Sequence, residues 1–149
     1  MDEINDKGNV KTPITDLLMS TLRQGGCEPA INEYGRACIS YRDAQLQIQV
    51  NESQRSLTVY DIGWYNVNIY DAKAVIRVKT EVNRVNSFGD AKLVYTENDD
   101  DCLYVHTLFT FPFTEDIVDK DSYFSDALNA VLSYRQAFIK EESKEEITQ

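Results

Sequence analysis

Residues 45–50 constrain the fold more than any other stretch. Leu46, Ile48 and Val50 alternate strictly with Gln45, Gln47 and Gln49. A period of two with one apolar and one polar face is the pattern of a strand half buried in an antiparallel sheet. Just upstream, Ala37, Ile39 and Tyr41 alternate with Cys38, Ser40 and Arg42. Residues 51–56 are a polar turn, after which Leu57 and Val59 open another strand. Asp61, Ile62 and Gly63 are expected to bulge or bend it, because an internal glycine weakens the pleat. A short segment near residues 30–32 adds an edge strand. The expectation is an antiparallel meander of three or four strands.

Helices flank this meander. Thr12-Pro13 is expected to start one, with Thr12 as the N-cap and Pro13 in the first turn. Ile14, Leu17, Leu18 and Leu22 follow at helical spacing, and Gly25-Gly26 stops the run. Residues 71–86 contain a strand-like series, Ile76, Val78, Thr80 and Val82. A helix fits better. The stretch has no Gly or Pro, Val75, Val78, Val82 and Val85 share one stripe, and Asp71 stands where a cap belongs. Residues 91–95 and 102–111 read as a hairpin around the acidic turn 97–101. From about residue 121 to 142, Phe124, Ala127, Leu128, Val131, Leu132 and Phe138 recur at three and four residues, a helical signal.

The resulting order is α-β-β-β-α-β-β-α, an α+β fold with an antiparallel sheet packed by helices. The 149 residues suit one domain, expected over residues 12–142. Residues 1–11 are expected to fray, and residues 143–149 to form a charged tail.

Twenty-five acidic against fifteen basic residues give a formal net charge of −10. Such a chain is repelled by nucleic-acid backbones and by anionic membrane surfaces. No apolar run approaches the ~20 residues that span a bilayer, and the first eleven lack the pattern of a secretory leader. Cys27, Cys38 and Cys102 are odd in number and widely spaced, neither a disulfide framework nor a metal motif. A reduced, cytoplasmic protein is the expectation.

No cofactor or metal is expected. His106, the sole histidine, is expected mid-strand as a structural residue. The run Asp99-Asp100-Asp101 lacks the later Gly and Glu of a calcium loop, since Tyr104 and Thr110 occupy those places. Gly25-Gly26 follows a helix and so cannot offer amides to a phosphate.

Three sets of residues are candidates for contact with a partner. Tyr60, Trp64 and Tyr65 lie in an aromatic stretch that also includes Tyr70. Lys73, Arg77 and Arg84 fall within about 40° on the middle helix, a basic strip in an acidic chain. Ile76, with Val78 and Val82, is the candidate subunit contact.

The element order, with TPITDLLMSTLRQGG, ACISYRDAQLQIQVNESQRSLTVYDIGWYNV, EVNRVNS before FGDAKLVY, and LYVHTLFTFPFTED, resembles the type III secretion chaperone-like fold and in particular the YbjN family of small bacterial proteins. The resemblance spans residues 12–142 and involves no catalytic signature. It implies an acidic cytosolic homodimer, pairing through the middle helix and neighbouring strands. Secretion chaperones of this fold hold partly unfolded effector segments. YbjN-like proteins carry a loose assignment as sensory-transduction regulators.

The leading expectation is a non-enzymatic protein-binding module, chaperone-like or regulatory, binding a protein partner as a homodimer. The alternative is a small-molecule binder or enzyme with a pocket near Trp64, Tyr65 and His106.

Overall fold

A computed structural model describes residues 12–148, with side chains through Ser143. The elements are α1 (Ile14–Gln24), β1 (Ala30–Ile31), β2 (Ala37–Tyr41), β3 (Ala44–Asn51), β4 (Ser56–Asn68), α2 (Ala72–Val85), β5 (Lys92–Glu97), β6 (Cys102–Pro112) and α3 (Lys120–Thr148). The six strands form an antiparallel sheet in the order β1-β2-β3-β4-β6-β5. The α+β class and the placement of the helices agree with the sequence reading, and the short edge strand near residues 30–32 makes four strands before α2. The expected frayed segment, residues 1–11, lies outside the described residues. Helix α3 extends through residues 143–148, beyond the expected end at 142.

The chain divides into two compact units, and β4, β6 and α3 supply residues to both. The first unit holds α1, β1–β3, the start of β4, and Thr110–Ala127. The two-residue connection from Tyr41 to Ala44 puts Arg42 at φ 47° and Asp43 at φ 68°. Two positive φ values in succession make a type I′ turn, whose twist matches the flanking strands. Ala44, Leu46 and Ile48 point into the core, and the glutamines between them point outward. Arg36 ties that outer face together by donating to Gln47 Oε1 at 3.1 Å and to Gln49 Oε1 at 3.1 Å.

Helix α1 begins one residue later than the Thr12 cap predicts. Pro13 occupies the cap position and its side chain can accept nothing. The carboxylate of Glu52, just past β3, takes over the task. It accepts from Ile14 N at 2.8 Å, Thr15 N at 2.9 Å and Thr15 Oγ1 at 3.0 Å. An anion on the first-turn amides satisfies orphan donors and complements the helix dipole. Burial alone would raise the Glu52 pKa, but the bonds from Thr15 and Ile14 and the charge of Arg55 together bring it below the usual carboxylate value.

The second unit comprises Tyr60–Phe109 and the chain from Leu128 onward. Its core joins Val78, Val82 and Val85 of α2, Leu93 of β5, Leu103 and Val105 of β6, and Tyr134 and Phe138 of α3. Asp71 caps α2 as expected, accepting from Ala74 N at 3.1 Å.

Candidate functional site

The chemistry-bearing side chains of the second unit are bound largely to one another. Gly63 interrupts the pleat of β4 with φ 65° and donates its backbone N–H to Nδ1 of His106 at 2.8 Å. Because Nδ1 accepts, the ring proton sits on Nε2, which donates to Thr96 Oγ1 at 2.7 Å. Burial pushes the His106 pKa below its ordinary 6.5. His106 is therefore a neutral sheet histidine with both nitrogens occupied.

Trp64 and Tyr65 both reach Phe138 in edge-to-face contacts, with ring centroids 5.2 and 5.0 Å away. Successive residues of a regular strand point to opposite faces, and the interruption at Gly63 immediately precedes this pair. Trp64 Nε1 donates to Thr107 Oγ1 at 3.0 Å. The Tyr65 hydroxyl donates to Glu142 Oε2 at 3.0 Å. Tyr60, the third aromatic candidate, is half-buried in β4. So Trp64 and Tyr65 spend much of their surface on packing within their own unit.

Asp61 is 2% exposed. Arg135 Nη1 stands 3.3 and 3.4 Å from its two carboxylate oxygens. Charge-assisted bonds are normally nearer 2.7–2.9 Å. Burial outweighs the arginine, and the Asp61 pKa lies above its ordinary value. The Arg135 guanidinium also lies 5.9 Å from the centroid of Trp64.

The basic strip of α2 divides. Arg77 is drawn to Glu142 at 3.7 Å, and Arg84 Nη2 lies 2.8 Å from Glu81 Oε2. Lys73 is exposed. The expected subunit contact also divides. Val78 and Val82 are 1% and 3% exposed, committed to the chain's own core, because they lie on the stripe that faces Leu93 and Phe138. Ile76 points the other way and is 64% exposed. This corrects the expectation that Val78 and Val82 meet a second subunit.

One residue of the α2 surface was missed from sequence. Asn86, just past the end of α2, uses its side-chain amide as a short strand. It accepts from Leu93 N at 2.6 Å and donates to Leu93 O at 3.0 Å. Leu93 thus turns both backbone groups away from β6, and Asn86 covers the outer edge of β5 there. Beside it, Lys79 Nζ lies 5.5 Å from the Tyr95 ring centroid. Nothing in the spacing of Asn86 signals a bond seven residues ahead.

Two surface cavities involve α1. An open groove of about 520 Å³ is lined by Asp16, Met19, Ser20, Arg23 and Gln24 of α1. Another, about 330 Å³, lies between α1 and residues 118–121. Neither includes Trp64, Tyr65 or His106. Among the described residues no cluster of three or more His, Cys, Asp or Glu is placed to hold a metal, and no helix is long and apolar enough to cross a membrane.

No family model and no curated protein sequence matches the chain. Solved structures do. YbjN from E. coli, a candidate transcription regulator, superposes with a TM-score of 0.61 at 11% identity, over 88% of this chain and 93% of its own. A chain of the HopA1–SchA chaperone–effector complex gives 0.54 at 12% identity, over 83% and 91%. A chain of the ExsC–ExsE complex gives 0.55 at 14% identity, over the same shares. The chain has the YbjN-like, type III secretion chaperone-like fold that its element order resembles.

Proposed function

We propose that this chain is a non-enzymatic protein-binding module, chaperone-like or regulatory, that engages a protein partner through α2 and the adjoining edge of β5. One observation carries the reading. Among the described residues, seven of the ten exposed large apolar side chains belong to the second unit: Ile62, Tyr70, Ile76, Phe88, Val94, Tyr95 and Ile139. Five of them, Tyr70, Ile76, Phe88, Val94 and Tyr95, lie on α2, its flanks and β5, and apolar surface left exposed supports a contact site there. The internal bonding of His106, Asp61 and Glu142 supports a binding rather than a catalytic role. That one structural neighbour is a chaperone–effector complex supports it further. The free, half-buried cysteines favour a reducing, cytoplasmic setting.

The test is a tagged pull-down from native cytosol at low salt, comparing the natural chain with an Ile76→Asp, Tyr95→Ser variant. A stoichiometric protein held by the first and lost from the second is expected. Recovery of the tagged chain alone would refute the reading and return attention to small-molecule ligands, screened by thermal shift.

A further inference from the structure

Helix α2 has an outward face of a single sign. At 100° per residue, Lys73, Ile76, Lys79, Thr80 and Asn83 occupy the half of the helix opposite Ala74, Val78, Val82 and Val85. All five of those outward residues are exposed, and the four opposite are buried. Glu81 is the sole carboxylate within α2, and its side chain is 13% exposed and paired with Arg84. Arg77 leans on Glu142. Among the described residues no carboxylate pairs with Lys73 or Lys79. These two cations flank Ile76, which is 64% exposed. On a chain of net charge −10 this is a local inversion of sign around an apolar anchor point.

We infer that the outward face of α2, extended by Tyr95, binds an acidic amphipathic protein segment: an apolar side chain seated on Ile76 and carboxylates on Lys73 and Lys79. The inference rests on the protein-binding reading and names the partner's chemistry. Charge chooses among occupants. Two copies joined symmetrically through this face would set lysine against lysine, and like charges across an interface are penalised. Nucleic acid and anionic membrane meet two lysines here and the repulsion of the remaining surface. An acidic peptide gains from the lysines and is small enough to avoid the rest. The salt screening length of about 10 Å at 0.1 M confines the attraction to this face.

The test uses the full chain and a fluorescein-labelled helical peptide of about eighteen residues, leucines on one face and glutamates elsewhere, the usual pattern of a helix laid on an apolar surface. A second peptide replaces every glutamate with lysine. At about 50 mM salt the glutamate peptide is expected to bind and the lysine peptide not, and binding should weaken about tenfold in Lys73→Glu, Lys79→Glu. Ile76→Asp should abolish it. All substitutions are on exposed positions, and an unchanged thermal melt confirms folding.

Failure of the glutamate peptide to bind, equal binding by the charge-reversed variant, or equal binding of the two peptides overturns the inference. So does lysine-dependent binding to phosphatidylserine vesicles, or light scattering that shows a dimer dissolved by the same substitutions. A pulled-down partner that Ile76→Asp, Tyr95→Ser loses but the lysine reversal retains would leave the protein-binding reading standing and remove its acidic chemistry.

Discussion

Gly63 and His106 are joined by a backbone-to-ring hydrogen bond of 2.8 Å, and that bond sets the tautomer of the chain's sole histidine. Protonating His106 would place a proton on Nδ1 and oppose it to the Gly63 N–H. The burial that lowers its pKa acts in the same direction.

The sign of the resulting pH dependence follows. The folded pKa lies below the ordinary 6.5, so the unfolded chain binds the extra proton first. The stabilisation is complete above pH 6.5 and is lost as pH falls through the lower folded value. Urea denaturation at stepwise pH should show the natural chain losing stability on this limb relative to His106→Gln. Parallel curves for the two would refute the assignment.

Gly63→Ala isolates the backbone contribution. A Cβ there meets Tyr104 Cδ1 at an ordinary 3.6 Å, so space is not the difficulty. The φ of 65° is, because left-handed backbone costs a non-glycine residue about 1–2 kcal/mol. A loss of that size in denaturation midpoint is expected, with the near-ultraviolet signal of the Trp64 region retained in the folded state.

Asp61 and Arg135 behave as a buried acid with an imperfect partner. The raised pKa means that Asp61 favours folding most below its ordinary 3.8 and progressively less as pH rises through the folded value. Arg135→Met removes the compensating charge and should destabilise the chain by about 2–3 kcal/mol at pH 7, below the 3–5 expected of a fully buried pair because Arg135 is 29% exposed. The loss should shrink as pH falls and Asp61 becomes neutral. A loss independent of pH would mean that packing on Trp64, not charge, is what Arg135 contributes.

Glu52 makes the opposite prediction. Its pKa is depressed, so its contribution is present above the ordinary 4.5 and lost as pH falls through the lower folded value. Glu52→Ala should cost about 1 kcal/mol at pH 7, the usual scale of a helix cap. As pH falls through that lower value the two chains should converge, as followed by helical circular dichroism through urea unfolding.

Asn86→Ala leaves both backbone groups of Leu93 without their partner. A cost of about 1–2 kcal/mol is expected for two lost side-chain bonds at a half-buried site. The sharper readout is local: the Leu93 amide should exchange with deuterium much faster, while the Leu103 amide in β6 keeps its protection.

The sequence alone determined the elements whose cause is local. Alternation over Gln45–Val50 can be satisfied only by a half-buried strand. The stripe of Val75, Val78, Val82 and Val85 with the Asp71 cap outweighs the strand-like Ile76–Val82 series because the four valines fall on one helix face at 100° per residue; in the structure Val78, Val82 and Val85 are buried with Ala74, and Val75 is half-buried. The same arithmetic sets Ile76 apart from Val78 and Val82, yet the sequence could not say which side of α2 would be covered. That depended on where Leu93, Val105 and Phe138 came to lie. Much of what the tertiary structure decided takes the form of a bond between residues far apart in the chain. Glu52 caps a helix 38 residues upstream, Asp61 meets Arg135 across 74, and Arg77 pairs with Glu142. Spacing records periodicity along one element. It carries no information about which charge will meet which once the chain has folded, and so the basic strip read from α2 became, in three dimensions, two paired arginines and the lysines that flank Ile76.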